Sequence, residues 1–201
     1  MEFELNEEQQ MIRETIRDFA ETEIKPGARE RDEKAEFPKE IIKHLGELGF
    51  MGMQVPETYG GTGLDTVSYA IALEEVARVD ASVCVIMSVN NSLFTNPLLQ
   101  FASEELKQKY LPLTASGEKL GAYSLSEPQS GSDAKAMRTT ATKDGDYYVL
   151  NGTKNWVTNG FNSDFVVVFA KTDKDAGHRG ISALANSAEP ADSNENTAPA
   201  V

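Results

Sequence analysis

Two short stretches carry the side chains best suited to gripping a ligand. In AYSLSEPQSGSD, Ala122 to Asp133, a short apolar run opens into a loop of small polar residues. Strand alternation sets Tyr123 and Leu125 on one face and Ala122, Ser124 and Ser126 on the other, so one face suits a core and the other is small and hydroxyl-bearing. A flat ligand fits such a face, with the amides around Gly131 and Ser132 available to phosphate oxygens beyond the strand end. In NWVTNG the same rule pairs Trp156 with Thr158, an indole beside a hydroxyl, which suits stacking on a planar ring and hydrogen bonding to its edge. Each stretch taken alone is also the pattern of a plain turn or a core tryptophan.

The other reactive side chains point away from catalysis. Glu127, before Pro128, reads as a solvated or hydrogen-bonded turn carboxylate rather than a general base, which would need burial and a raised pKa. His44 and His178 have no cysteine or second histidine at ligand spacing, which argues against a metal site. The single cysteine, Cys84, excludes an intramolecular disulfide framework and reads as a core residue in VCVIM. Arg138 and Lys143 read as ordinary surface charges. A net charge of -13 argues against nucleic acid as a partner, because phosphate backbones repel a surface excess of carboxylates. No apolar run approaches the roughly 18 residues of a membrane span. The acidic opening, Met1 to Gln10, lacks a basic, apolar leader, and the expected location is cytoplasmic.

The elements that must hold these residues change character along the chain. Asn6 and Gln9 form a capping pair ahead of Ile12, Ile16, Phe19, Ala20 and Ile24 at helical spacing, until Pro26 stops the pattern. Pro38 opens a helix through Ile41, Ile42, Leu45 and Leu48, with Gly49 as its exit, and Asp65 caps another through Val76 and Ala77. Ser82 to Phe101 reads as a central buried helix broken near Pro97, and a further helix runs from Ser103 to about Tyr110. From about Lys119 the period becomes two. LGAYSLS, MRTTATK, YYVLNGTKNWVT and DFVVVFAK read as strands joined by Asp-Gly and Asn-Gly turns. The fold class is therefore α+β, with a helical domain over 1–115, an antiparallel β domain over 116–184, and a divergent tail over 185–201 too poor in apolar residues to order.

Taken together, AYSLSEPQSGSD and NGTKNWVTNG resemble the flavin-binding signature of the acyl-CoA dehydrogenase family, and ETYGGTGLD, VNNSLF and LKQKYLPLTASGE fit it with a short-chain, butyryl-CoA flavour. The resemblance covers roughly residues 1–183. It implies a helical N-terminal domain, a barrel-like β domain and a second helical bundle. It implies an FAD-dependent flavoprotein of fatty acid metabolism, an oxidoreductase making a trans-2-enoyl-CoA and passing electrons to an electron-transfer flavoprotein. Full-length family members are homo-oligomers.

Carried over position by position, the resemblance lays Tyr123, Leu125 and Ser126 along the pyrimidine side of the isoalloxazine. It sets Gly131 and Ser132 by the pyrophosphate, with Ser132 also beside the acyl-CoA. Trp156 then flanks the flavin, Thr158 bonds near its N5, and Val157 between them joins the cofactor site. Ser126 stands where the family often has threonine, keeping the hydroxyl. The family's base is a glutamate of the C-terminal bundle, and no residue of these 201 matches it. The expectation is a truncated form lacking turnover, alongside a reading from another class, a catalytically silent binding fragment that keeps the fold.

Overall fold

Asn6 accepts the Gln9 amide at 2.8 Å while the Gln9 side chain takes the Asn6 amide at 3.2 Å, the reciprocal cap expected from the sequence. The computed structural model describes residues 4–187 and the backbone of 197–198. Helix α1 follows that cap over Glu7–Phe19, widens into a π turn at Ala20–Ile24 and tightens at Lys25–Gly27, where Pro26 sits. Helix α2, Ala28–Lys34, has no apolar stripe to announce it. Its seven residues bury nothing and are supported by spaced pairs such as Arg29 with Glu33 at 2.8 Å.

Helix α3, Lys39–Glu47, begins after Pro38, and Gly49 turns the chain away at a φ of 83°. Helix α4, Thr66–Ala77, starts from Asp65, which takes the Ser68 amide at 2.7 Å. Helix α5, Ala81–Ser88, runs without a break through a π turn, Val89–Thr95, into α6, Asn96–Phe101. Pro97 therefore lies where the π turn passes into α6 and does not end the helical run, because the altered hydrogen bonding of that wider turn accommodates a residue with no amide to donate. Helix α7, Glu104–Ala115, outruns its expected end at Tyr110, since Tyr110, Leu111, Thr114 and Ala115 all carry its buried face.

The sheet follows. Its strands are β1 (Gly121–Ser124), β2 (Thr140–Asp144), β3 (Tyr147–Asn151), β4 (Phe165–Lys171), β5 (Ile181–Ser187) and the short β6 (Thr197–Ala198). Pairing is antiparallel between β2 and β3, β4 and β5, and β3 and β6. A wholly antiparallel sheet is corrected at two points: β1 runs parallel to β4, with Gly121 opposite Phe165, and β2 meets β4 in parallel where Thr140 lies opposite Lys171. Order also extends further than expected. Leu184 and Ala185 are buried and β5 pairs with β4 as far as Ser187, because small residues at 183 and 185 let it lie against the helices. The rest of the expected disordered tail, 188–196 and 199–201, lies outside the described residues.

Packing joins the two halves. A first core of Ile16, Ile24, Leu45, Met51, Met53, Val76 and Met87 lies within the helices, with half-buried Cys84 against it. A second is shared, since Phe94, Leu98, Tyr110 and Leu111 meet Val167 and Ala185. Its centre is aromatic: the Phe165 ring stacks on Phe94 at 6.2 Å and meets Tyr110 edge-on at 4.8 Å. Gly121 sits so close that a Cβ there would lie 2.2 Å from the Phe94 ring. Asn90 closes the seam, accepting from the Gly121 amide and donating to Met51 and Thr114 carbonyls at 2.9 and 3.0 Å.

Candidate functional site

Strand β1 stops at Ser124, and its small face is closed by protein: Ala122 is fully buried and Ser124 nearly so. The open hydroxyl-bearing surface expected along β1 therefore begins one step later, at Leu125 and Ser126, where the strand has ended. Tyr123 faces the helices and packs on Phe169, ring centres 5.1 Å apart, and burial pushes its phenol up, so it stays protonated near neutral pH.

The second stretch departs further from the alternation rule. Strand β3 ends at Asn151, and residues 153–157 are irregular, so no strand sets Trp156 and Thr158 on one face. Trp156 instead has a φ of 59°, a left-handed backbone that a bulky residue rarely adopts, and its side chain is 92% exposed. An exposed indole on a strained backbone forgoes both burial and conformational comfort, a combination found where a ligand completes the packing. Val157 and Thr158 line a cavity of about 500 Å³ with Phe37, Val85, Ile86 and Phe161.

What brings the two stretches together is polar. The Asn155 amide donates to the Ser126 carbonyl at 2.8 Å, and the Lys154 ammonium reaches the Leu125 carbonyl at 2.9 Å. Lys154 also reaches Glu127 Oε1 at 2.9 Å. That carboxylate takes three more donors: the Thr139 amide at 3.0 Å, the Arg138 amide at 2.5 Å and the Gln129 side chain at 2.6 Å. Burial alone would raise its pKa, but hydrogen bonds from Thr139, the Arg138 amide and Lys154 outweigh that and hold it at about 2. Glu127 is thus the hydrogen-bonded turn carboxylate read from the sequence, ionised and fully engaged. Arg138, expected to be a plain surface charge, contributes through its backbone.

Beyond the tight turn closed by Glu127 and Ser130, the loop opens to solvent at Gly131 and Ser132. Among the described residues, the amides of Gly131 and Ser132 and the hydroxyls of Ser126, Ser132 and Thr158 have no hydrogen-bond partner. An anion and the polar edge of a planar ring need such unspent donors and acceptors, so the residues present fit a flavin nucleotide. Gly131 and Ser132 make no hydrogen bond to the Trp156 segment, and their approach to it is not fixed by the chain alone. Sequence reasoning passed over Lys154 and Asn159. The latter is buried with a φ of 68° and donates to the Gly121 carbonyl at 3.0 Å, anchoring the turn after Thr158 to the base of β1. The Asn-Gly dipeptide was the available signal for that left-handed residue.

A helical domain followed by a mostly antiparallel sheet, with these two segments meeting at its edge, has a clear family. Residues 6–118 match the acyl-CoA dehydrogenase N-terminal domain and residues 122–193 the acyl-CoA dehydrogenase middle domain, and the chain belongs to the acyl-CoA dehydrogenase family of oxidoreductases. It is 52% identical over 181 residues to the short-chain specific acyl-CoA dehydrogenase, mitochondrial, of Bos taurus, covering 90% of this chain and 44% of that one. Its fold matches butyryl-CoA dehydrogenase from Megasphaera elsdenii with a TM-score of 0.89 at 42% identity, over 93% of this chain and 50% of the other. A glutaryl-CoA dehydrogenase from Mycobacterium smegmatis in complex with FADH2 matches with a TM-score of 0.85 at 36% identity, over 92% and 46% of the two chains. The chain thus spans about half the length of these relatives. Among the described residues, no helix is long and apolar enough to cross a membrane.

Proposed function

We propose that this chain supplies the N-terminal and middle domains, divided near 115, of an FAD-dependent dehydrogenase acting on a short-chain acyl-CoA. The observation that carries this reading is the Asn155–Ser126 main-chain bond, which brings the exposed Trp156 into the segment that leads from Ser126 to the open loop. In it, Trp156 and Val157 lie against one side of the isoalloxazine, Leu125, Ser126 and Thr158 line its pyrimidine side, and Tyr123, packed on Phe169, backs that edge from within the core. Gly131 and Ser132 take the pyrophosphate through their amides, and Ser132 also meets the acyl-CoA. FAD, when bound, supplies the hydride acceptor. The apolar cavity beside Thr158 offers room for the acyl end of the substrate. Onward transfer to an electron-transfer flavoprotein, assembly as a homo-oligomer and a cytoplasmic location belong to the same reading.

The test is FAD titration followed by tryptophan fluorescence, for Trp156 is the single tryptophan of the sequence. Saturable quenching is the expected result. Saturable FAD binding that leaves Trp156 emission unchanged, or no binding at all, overturns it.

A further inference from the structure

The Glu127 side chain is 2% exposed and that of Lys154 11%, so the pair they form has given up most of its hydration. A buried ion pair is seldom the cheapest way to stabilise a fold, because apolar side chains of similar size often do as well. Its placement suggests another use. Lys154 bridges Glu127 and the Leu125 carbonyl, and the neighbouring Asn155 amide holds the Ser126 carbonyl, so three consecutive contacts tie 125–127 to 154–155. Glu127 extends the tie to a third piece of chain by accepting the Arg138 and Thr139 amides, which lead into β2. The residues this lattice fixes, Ser126 on one side and the left-handed Trp156 on the other, make no side-chain hydrogen bond of their own among the described residues. Beside the Asn159 anchor to Gly121 at the far end of the turn, this lattice is the direct tie between the two segments.

We propose that Glu127 and Lys154 act together as positioning residues that hold the Ser126 and Trp156 segments at the separation a flavin ring requires, an inference that rests on the flavin reading above. Neither side chain needs to touch the cofactor. Without the ammonium, Leu125 and Glu127 each lose their link to residue 154, and only the Asn155–Ser126 bond spans the gap.

The experiment measures FAD affinity and the visible spectrum of bound flavin for the unsubstituted chain, Lys154→Met, Glu127→Gln and the double variant. Each is read well below the melting temperature of its unloaded form, with circular dichroism confirming that it is folded. Lys154→Met is expected to weaken FAD about tenfold and to shift the flavin bands, as a loosened binding geometry does. The double variant is expected to bind no worse than the weaker single one, because both remove the same tie. Folded Lys154→Met with unchanged affinity and spectrum overturns the positioning role, as do fully additive losses. If every substitution leaves the chain unfolded before FAD is added, the pair is a folding element and the inference fails. An unsubstituted chain that binds no FAD instead overturns the flavin reading itself.

Discussion

The amide of Gly121 donates to Asn90 Oδ1 at 2.9 Å, so the first residue of the sheet hangs from a buried side chain of the helical half. Because Asn90 also donates to two carbonyls of that half, one side chain closes the seam between a helical core and a sheet.

Asn90→Ala leaves the buried Gly121 amide and Met51 carbonyl without this partner, at about 1–3 kcal/mol each before relaxation, while the Thr114 carbonyl keeps the Gly117 amide. The expected loss of stability is about 3 kcal/mol in urea unfolding. Gly121→Ala, which drives a Cβ into the Phe94 ring, is expected to cost about 2 kcal/mol. A change below about 0.5 kcal/mol for either shows that the seam is held elsewhere.

Stability should fall in acid through Glu127. Its carboxyl is held at about 2 against an ordinary 4.5, so its contribution is complete above pH 4.5 and is lost as pH falls towards 2. The expected size is about 3 kcal/mol across that window. Glu127→Gln should flatten this limb of the stability profile, and melts between pH 7 and 2 measure it. An equally steep limb in the variant shows that other carboxylates carry it.

Trp156 separates strain from recognition. Trp156→Ala keeps a Cβ on a left-handed backbone, whereas Trp156→Gly relieves it, and the glycine variant should be more stable by about 1 kcal/mol. Both should bind FAD more weakly than the parent, and Lys143→Ala, at an exposed site in β2, should not. Flavin fluorescence titrations check the affinities. Equal losses in all three would place the flavin elsewhere.

A polypeptide of these 201 residues should not reduce an artificial acceptor with butyryl-CoA. Among the described residues the buried glutamates are Glu75 and Glu127, the first held by Arg17 and Arg78 and the second by its four donors, so neither is free to take an α-proton. A positioned base is worth about 10²–10⁴-fold. Turnover at a rate typical of the enzymes it resembles would show that a base exists within the chain.

The helical half was legible where side chains repeat a period or cap an end, as Asn6, Asp65 and the run from Ile12 to Ile24 do. Helix α2 was not, because its residues bury nothing and leave no stripe. In the site, the types at 126, 131, 132, 156 and 158 pointed to a flavin, but the alternation used to orient Trp156 and Thr158 failed. A left-handed residue has no strand face, and its conformation here accompanies contacts to residues far back in sequence. Lys154 was passed over for the same reason: its partner Glu127 is distant along the chain, and no local pattern links them.

The parallel pairing of β1 with β4 bears on how the chain finds its shape. Leu120 and Asp164, at the mouth of that pair, are 44 positions apart and joined by a 2.9 Å bond, a separation the helical half also spans where Arg17 of α1 meets Glu75 of α4, 58 positions on. During synthesis the helical half and β1 leave the ribosome well before β4 exists. Until it arrives, the rims of Phe94 and Tyr110 that Phe165 will cover stay bare. The interval before that pairing closes is one in which a chaperone would have this apolar surface to hold.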